Sequence, residues 1–259
     1  MAAERLDAIV ALRSDVTLAR ARALIMEGRV RVDGTPITKA GHLLRDGAEV
    51  EIERLRRFVS RGGEKLDRAL ESFDIDVRGR SALDVGASTG GFTDCLLQRG
   101  AAQVVAVDVD YGQLDWRLRN DPRVRVMERT NFRLLADDAF PEDFDLIVSD
   151  ASFIGVRTIV ARAMGYLRPG GDIVALVKPQ FEAGPSRLQP GGVVRDPEVH
   201  RAILREVREA MLSLGLVPVG LVASPLVGPA GNREFLLRLR GDGVALDDRR
   251  IDAVIAEGT

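Results

Sequence analysis

The stretch LDVGASTGGFTDCLLQRGA, residues 83–101, decides the fold. An apolar run closes on Asp84 and Val85, a glycine-bearing turn follows, and an apolar helical pattern starts at Gly91. Strand, turn and helix in that order open a βαβ unit, with glycines that let backbone approach a ligand without Cβ obstruction. The glycines stand at 86, 90 and 91, so the G-x-G-x-x-G spacing of a dinucleotide site is absent. The next apolar run, QVVAVDV, reaches Asp108, 22 residues after Gly86, where a carboxylate accepts hydrogen bonds from ribose hydroxyls. Turn and carboxylate together point to a nucleoside ligand, with a tight connection and a helix-capping acid as the plainer alternative. Loss of the pyrophosphate spacing favours an adenosine cofactor without phosphates, and S-adenosylmethionine fits. Asp84, Gly86, Ser88, Gly90, Gly91 and Asp108 are the candidate cofactor residues.

Working outward, apolar runs recur at RVRVME, FDLIVSD, DIVALVKP and LVPVGLVAS, with helical patterns at 90–98, 155–167 and 196–214. That alternation predicts an α/β fold with a parallel, doubly wound sheet and a ligand at the carboxyl ends of its strands. NREFLLRLR follows SPLVGPAG with no helix between them, so the last strand is expected to add antiparallel. Upstream, EKLDRALESF predicts a helix burying Leu66, Ala69, Leu70 and Phe73, after a basic junction, RLRRFVSRGGE, whose Gly62 and Gly63 break periodicity. Earlier still, Leu18, Ala21 and Ile25 mark a helix with one buried stripe, ended by Gly28. Val30 and Val32 alternate with arginines into an Asp33-Gly34 hairpin turn, and Asp46-Gly47 marks another turn before a short strand. The expected organisation is a small α+β module at 1–53, a basic linker at 54–64 and the α/β domain at 65–259.

The net charge of −2 gives no global reason to expect a polyanion partner, yet residues 1–70 carry +3 and the remainder −5. A single cysteine, Cys95, excludes an internal disulfide and a cysteine-rich metal site, and its helical phase makes it a buried thiol. Glu4, Arg5 and Asp7 interrupt any signal-peptide run, and no segment approaches the roughly 18 apolar residues of a membrane span. The chain is read as cytoplasmic, without a membrane partner.

Four polar residues flank the expected ligand edge. Asp150 closes FDLIVSD, Lys178 closes DIVALVKP, Glu234 lies in the last strand, and Lys65 begins the helix entering the domain. Salt bridges or caps would account for each alone. A lysine closing five apolar residues is costly to bury without a purpose, and beside carboxylates it suits proton abstraction.

The segments KLDRAL, LDVGASTGGFTDCLLQRGA, SDASFI, LVKPQFEAG and GNREFLL together resemble the TlyA family of ribosomal RNA 2'-O-methyltransferases. That family lies within the wider FtsJ/RrmJ-like group, and its members are often called hemolysins. The resemblance runs almost end to end. It implies a Rossmann-like class I methyltransferase sheet and an N-terminal alpha-L domain of the ribosomal-protein S-four type. It implies a catalytic tetrad of Lys65, Asp150, Lys178 and Glu234, with Asp150 also counted among the cofactor residues. S-adenosylmethionine is the implied cofactor, with no metal, and ribosomal RNA or ribosomal subunits are the implied partners. The junction Arg56-Arg57-Phe58-Val59 matches a linker coupling RNA to cofactor, which makes Arg56, Phe58 and Arg61 RNA-side candidates. Phe153 matches an aromatic beside the target nucleotide. The Ser-Arg that usually opens the second helix of such a domain reads Thr17-Leu18 here, leaving Arg20, Arg22 and Lys39 as its basic candidates.

The resulting expectation is methyl transfer to a ribose 2'-hydroxyl, with cytidine as the implied nucleoside. Three readings compete with it. A nicotinamide-dependent dehydrogenase is opposed by the glycine spacing, a membrane-lytic protein lacks an apolar or cationic amphipathic helix, and an RNA-binding assembly factor would leave the tetrad inert.

Overall fold

The computed structural model describes residues 4–53, 57–228 and 230–257. The chain divides into two compact units, Met1–Leu55 and Arg56–Thr259.

In the first unit, helices α1 (Leu6–Ser14) and α2 (Leu18–Met26) pack over strands β1 (Val30–Val32), β2 (Thr35–Pro36) and β3 (Val50–Ile52), in the order β2-β1-β3. Thr17 caps α2, its Oγ1 accepting the Arg20 N–H at 3.3 Å. The buried stripe of α2 is Ala21, Leu24 and Ile25, whereas Leu18 is 43% exposed. Leu18 occupies the first helical position, where the chain is still turning into the helix, so its periodicity with Ala21 does not bring burial. Val30 and Val32 point inward and Arg31 outward, and Asp33 (φ 51°) with Gly34 (φ 75°) forms the tight turn to β2.

In the second unit, α3 (Gly62–Ser72) precedes strands β4 (Ser81–Val85), β5 (Gln103–Val107), β6 (Val124–Met127), β7 (Phe144–Ser149), β8 (Leu167–Val177), β9 (Val217–Ala223) and β10 (Phe235–Arg240). Helices α4 (Gly91–Gln98), α5 (Trp116–Arg119), α6 (Val156–Ala163), α7 (Pro179–Glu182), α8 (Pro197–Ser213) and α9 (Asp248–Ala256) connect or follow them. The sheet order is β6-β5-β4-β7-β8-β10-β9, with β10 inserted antiparallel to both its neighbours. Alternation along the strands divides the core between the two faces. Leu83, Val85, Ile147 and Ile173 meet α6, α8 and α9, while Ala82, Leu146, Val148 and Val174 meet α3 and α4. Helix α9 has its signal in Ile251, Val254 and Ile255 at helical spacing behind an Asp247 cap.

The expected linker 54–64 is largely built into this unit. Residues 54–56, and with them Arg56, lie outside the described residues. Phe58 is 3% exposed and packs with Leu66 and Phe92. The Val59 N–H donates to Asp94 Oδ2 at 2.8 Å, and Arg57 pairs with Asp67. Gly62 and Gly63 do not break the helix; they begin it, and position 63 is bare because a Cβ there would overlap the Phe58 ring. Cys95 is fully buried, and burial beside Asp67 pushes its thiol up to about 12.

Candidate active site

Parallel pairing aligns the carboxyl ends of β4, β7 and β8: Val85 stands opposite Ser149, and Ser149 opposite Ala175. The glycine turn follows the first of these strands, the loop 150–155 the second and Lys178 the third. Strand β10 runs the other way, so its start lies at the same edge. Phe235 pairs with Val177, which puts Glu234 beside Lys178, and α3 delivers Lys65 to the same place.

Four charges meet there in alternating sign. Glu234 Oε2 lies 2.7 Å from Lys65 Nζ, which lies 3.4 Å from Asp150 Oδ2, and Asp150 Oδ1 lies 2.6 Å from Lys178 Nζ. Lys178 Nζ also donates to Ser152 Oγ at 2.7 Å and to the carbonyls of Asp150 and Ala151, each at 3.2 Å. Lys178 and Glu234 are buried. Burying ions is tolerable here because each charge has an opposite neighbour and the set sums to zero. Gly228 leaves room for Glu234: a Cβ there would sit 2.9 Å from Oε1.

Beside this chain of charges the cleft has two lobes, of about 470 and 350 Å³, that share Gly86, Ser88, Asp150 and Ser152. Asp108 and Phe153 line the first lobe; Lys65, Lys178 and Glu234 line the second. Asp108 braces the turn, its Oδ2 accepting the Ser88 N–H at 2.6 Å. Gly86 has φ 83° and lies against the next loop, a Cβ being 3.1 Å from Ala151 Cα, so turn and loop touch only with glycine there. Phe153 is 91% exposed, holds φ 63° and packs its ring 5.3 Å from that of Phe181. An exposed aromatic in left-handed backbone is unusual and sits at the mouth of the first lobe.

Residues 58–241 match the model for the FtsJ-like methyltransferase, and residues 4–50 match the S4 domain. The chain belongs to the FtsJ-like methyltransferase family. Among its relatives, the 16S/23S rRNA (cytidine-2'-O)-methyltransferase TlyA of Mycobacterium tuberculosis is 50% identical over 243 residues, 91% of this chain and 89% of that protein. Hemolysin A of Brachyspira hyodysenteriae is 38% identical, covering 84% of this chain and 91% of that one. A solved structure from Streptococcus thermophilus, titled a hemolysin, superposes with a TM-score of 0.76 at 39% identity, covering 99% of this chain and 96% of that one. Among the described residues no helix is long and apolar enough to cross a membrane.

Within this family member the structure brings Lys65, Asp150, Lys178 and Glu234 into one cluster, with Gly86, Ser88, Asp108 and Phe153 on the adjoining lobe. Other expected residues stand elsewhere. Asp84 does not line the cleft; it is 0% exposed, accepting the Thr93 hydroxyl at 2.7 Å beneath the turn. The missing Cβ of Gly90 makes room for Leu114 and Leu118, not for a ligand. Gly91 borders the second lobe but is bare because Ser60 and Gly63 press on it. Phe58 is a core residue, so its ring presents nothing to RNA. Arg61 is exposed at the mouth of the second lobe. On the first unit, Arg22 Nε pairs with the buried Asp7 at 2.9 Å, a structural commitment, and Arg20 pairs with Glu27. Lys39 is exposed, with no ion pair among the described residues. Ser152 was not singled out from sequence; its only signal was its place inside SDASFI.

Proposed function

We propose that the protein is an S-adenosylmethionine-dependent ribosomal RNA methyltransferase that modifies a ribose 2'-hydroxyl, with cytidine as the nucleoside. The observation that carries this reading is the alternating Glu234–Lys65–Asp150–Lys178 chain at the sheet edge, next to a turn braced by Asp108. The donor set fits the cofactor. Asp108 would hold ribose hydroxyls, the Gly86–Ser88 backbone would face the nucleoside, and Asp150 would lie toward the cationic end. When bound, the cofactor supplies a methyl group on a sulfonium.

The protein's own task is to position a ribose oxygen and remove its proton. Lys178 Nζ is the base: it takes the 2'-hydroxyl proton as the oxygen attacks. To do so it must enter the step neutral, and Asp150 Oδ1, 2.6 Å away, is the nearest acceptor for its own proton. Lys65 holds the other oxygen of Asp150 from its far side, and Glu234 balances the charge of Lys65. Phe153 offers an exposed ring to the target base, a contact worth roughly 1–3 kcal/mol. The S4 unit supplies RNA affinity through exposed cations such as Lys39 and Arg20, and Arg61 of the second unit adds to it. The action is assigned to the cytoplasm, where ribosomal subunits are found.

The support from relatives is the 50%-identical Mycobacterium tuberculosis protein, whose name, 16S/23S rRNA (cytidine-2'-O)-methyltransferase, specifies the same atom and nucleoside. The test is incubation of unmodified ribosomal RNA, and of each ribosomal subunit, with protein and labelled cofactor, followed by nucleoside mass spectrometry. A labelled 2'-O-methylcytidine is the expected product. A methylated base with an unmodified sugar overturns the assignment.

A further inference from the structure

Lys178 is the extended residue that precedes the single turn α7, and Phe181 and Glu182 end that turn. All three meet the same segment, residues 150–156. Lys178 Nζ bonds the carbonyls of Asp150 and Ala151 and the Ser152 hydroxyl. The Phe181 ring packs on Phe153. Glu182 Oε1 accepts the Val156 N–H at 2.7 Å. The first two contacts belong to the tetrad and the aromatic platform already described, whereas Glu182 has no role assigned so far.

Its position answers a need of α6. The first N–H groups of a helix have no partner inside it, and the capping residue here, Gly155, has no side chain to offer. Glu182 supplies the missing acceptor from another element, and its charge suits the positive end of the helix. Gly155 leaves it space, since a Cβ there would stand 3.2 Å from Glu182 Oε2. The loop is therefore anchored at both ends. The Asp150 N–H donates to the Val85 carbonyl at 3.3 Å, and Val156 is held by Glu182. Between these anchors Phe153 keeps its left-handed backbone, a conformation that persists only where neighbours impose it.

We propose that Glu182 is a positioning residue for methyl transfer: by holding Val156 it fixes the Asp150–Gly155 loop, and with it the placement of Phe153 and Ser152 against Lys178. This rests on the reading of the preceding section, and its test separates the two. The full-length protein and its Glu182→Leu and Glu182→Gln variants are compared by hydrogen exchange of peptides covering 150–158 and by steady-state methylation of unmodified ribosomal RNA. Removing the acceptor in Glu182→Leu should speed exchange there by about 10- to 100-fold. It should lower kcat by about 10- to 100-fold, as loss of a near-attack arrangement does, while KM for S-adenosylmethionine stays within about twofold. Glu182→Gln keeps an acceptor oxygen and should recover most of both.

Unchanged exchange in Glu182→Leu refutes the anchor, whatever the substrate. Faster exchange with unchanged kcat, or equal damage by Gln and Leu, refutes the positioning role. If the wild type methylates no ribosomal RNA, the preceding reading and the catalytic half of this one both fall, while exchange alone still decides whether Glu182 holds the loop.

Discussion

Replacing Asp84 with Asn should change how stability depends on pH, and by an amount the structure sets. Asp84 lies in β4 under the glycine turn, fully buried, with Oδ2 bonded to Thr93 and Oδ1 without a partner among the described residues. Burial, and after it the negative charges of Asp150 and Asp108, push its carboxyl from 3.8 up to about 7, against the pull of the Thr93 hydroxyl. The folded chain thus holds a proton that the unfolded chain has released across the whole interval between those values. Because the folded state binds more protons there, stability falls as pH rises from about 4 to about 7 and levels off above it. At 1.36 kcal/mol per pH unit the complete interval corresponds to roughly 4 kcal/mol. Of this, about 2–3 kcal/mol falls between pH 5 and pH 8. An asparagine keeps the acceptor for Thr93 and cannot ionise, so Asp84→Asn should gain on the wild type by that amount over the same range. Urea unfolding followed by far-UV circular dichroism, at unchanged slope, measures it. Circular dichroism is the better probe because Trp116, the only tryptophan, is exposed already. Parallel stability curves for the two proteins from pH 5 to pH 8 would show that Asp84 is not a protonated core residue.

Lys178→Ala should retain cofactor binding by calorimetry yet lose on the order of 10²–10⁴-fold in methylation rate, as removal of a general base does; full activity would end its assignment as the base. Phe58→Ala should cost about 3–5 kcal/mol of stability through the cavity left beside Leu66 and Phe92, seen as a lowered melting temperature. An unshifted melting curve would return Phe58 to the surface. Lys39→Glu should weaken RNA binding and reduce the salt slope of its affinity by about one or two, measured by filter binding over a salt series. Arg22→Ala, by contrast, should destabilise the first unit, because the buried Asp7, held well below the usual carboxylate range by Arg5 and Arg22, then loses one partner.

The order and kind of the elements were legible in the sequence because local pattern decides them. Alternating apolar runs and helical spacing give the βα repeats, and Asp33-Gly34 admits few conformations other than a tight turn. The antiparallel last strand was also readable, since no helix separates LVPVGLVAS from NREFLLRLR to carry a crossover. Sequence placed Asp150 and Lys178 at one edge for the same reason: parallel strands end on the same side. It did not say that β10 would insert between β8 and β9, and that insertion is what sets Glu234 beside Lys178 and within 2.7 Å of Lys65. Nor could it tell which glycines clear space for a ligand and which for protein. Gly86 faces the cleft, while Gly63 yields to the nearby Phe58 ring and Gly90 to Leu118, a partner far enough along the chain that only packing brings the two together. The same holds for charge. Arg22 and Lys39 read alike as cations, and only the fold reveals that one is tied to a buried aspartate while the other is exposed, with no ion pair among the described residues. A residue's type and phase are local properties, but its neighbours across the chain are settled by how the whole core closes.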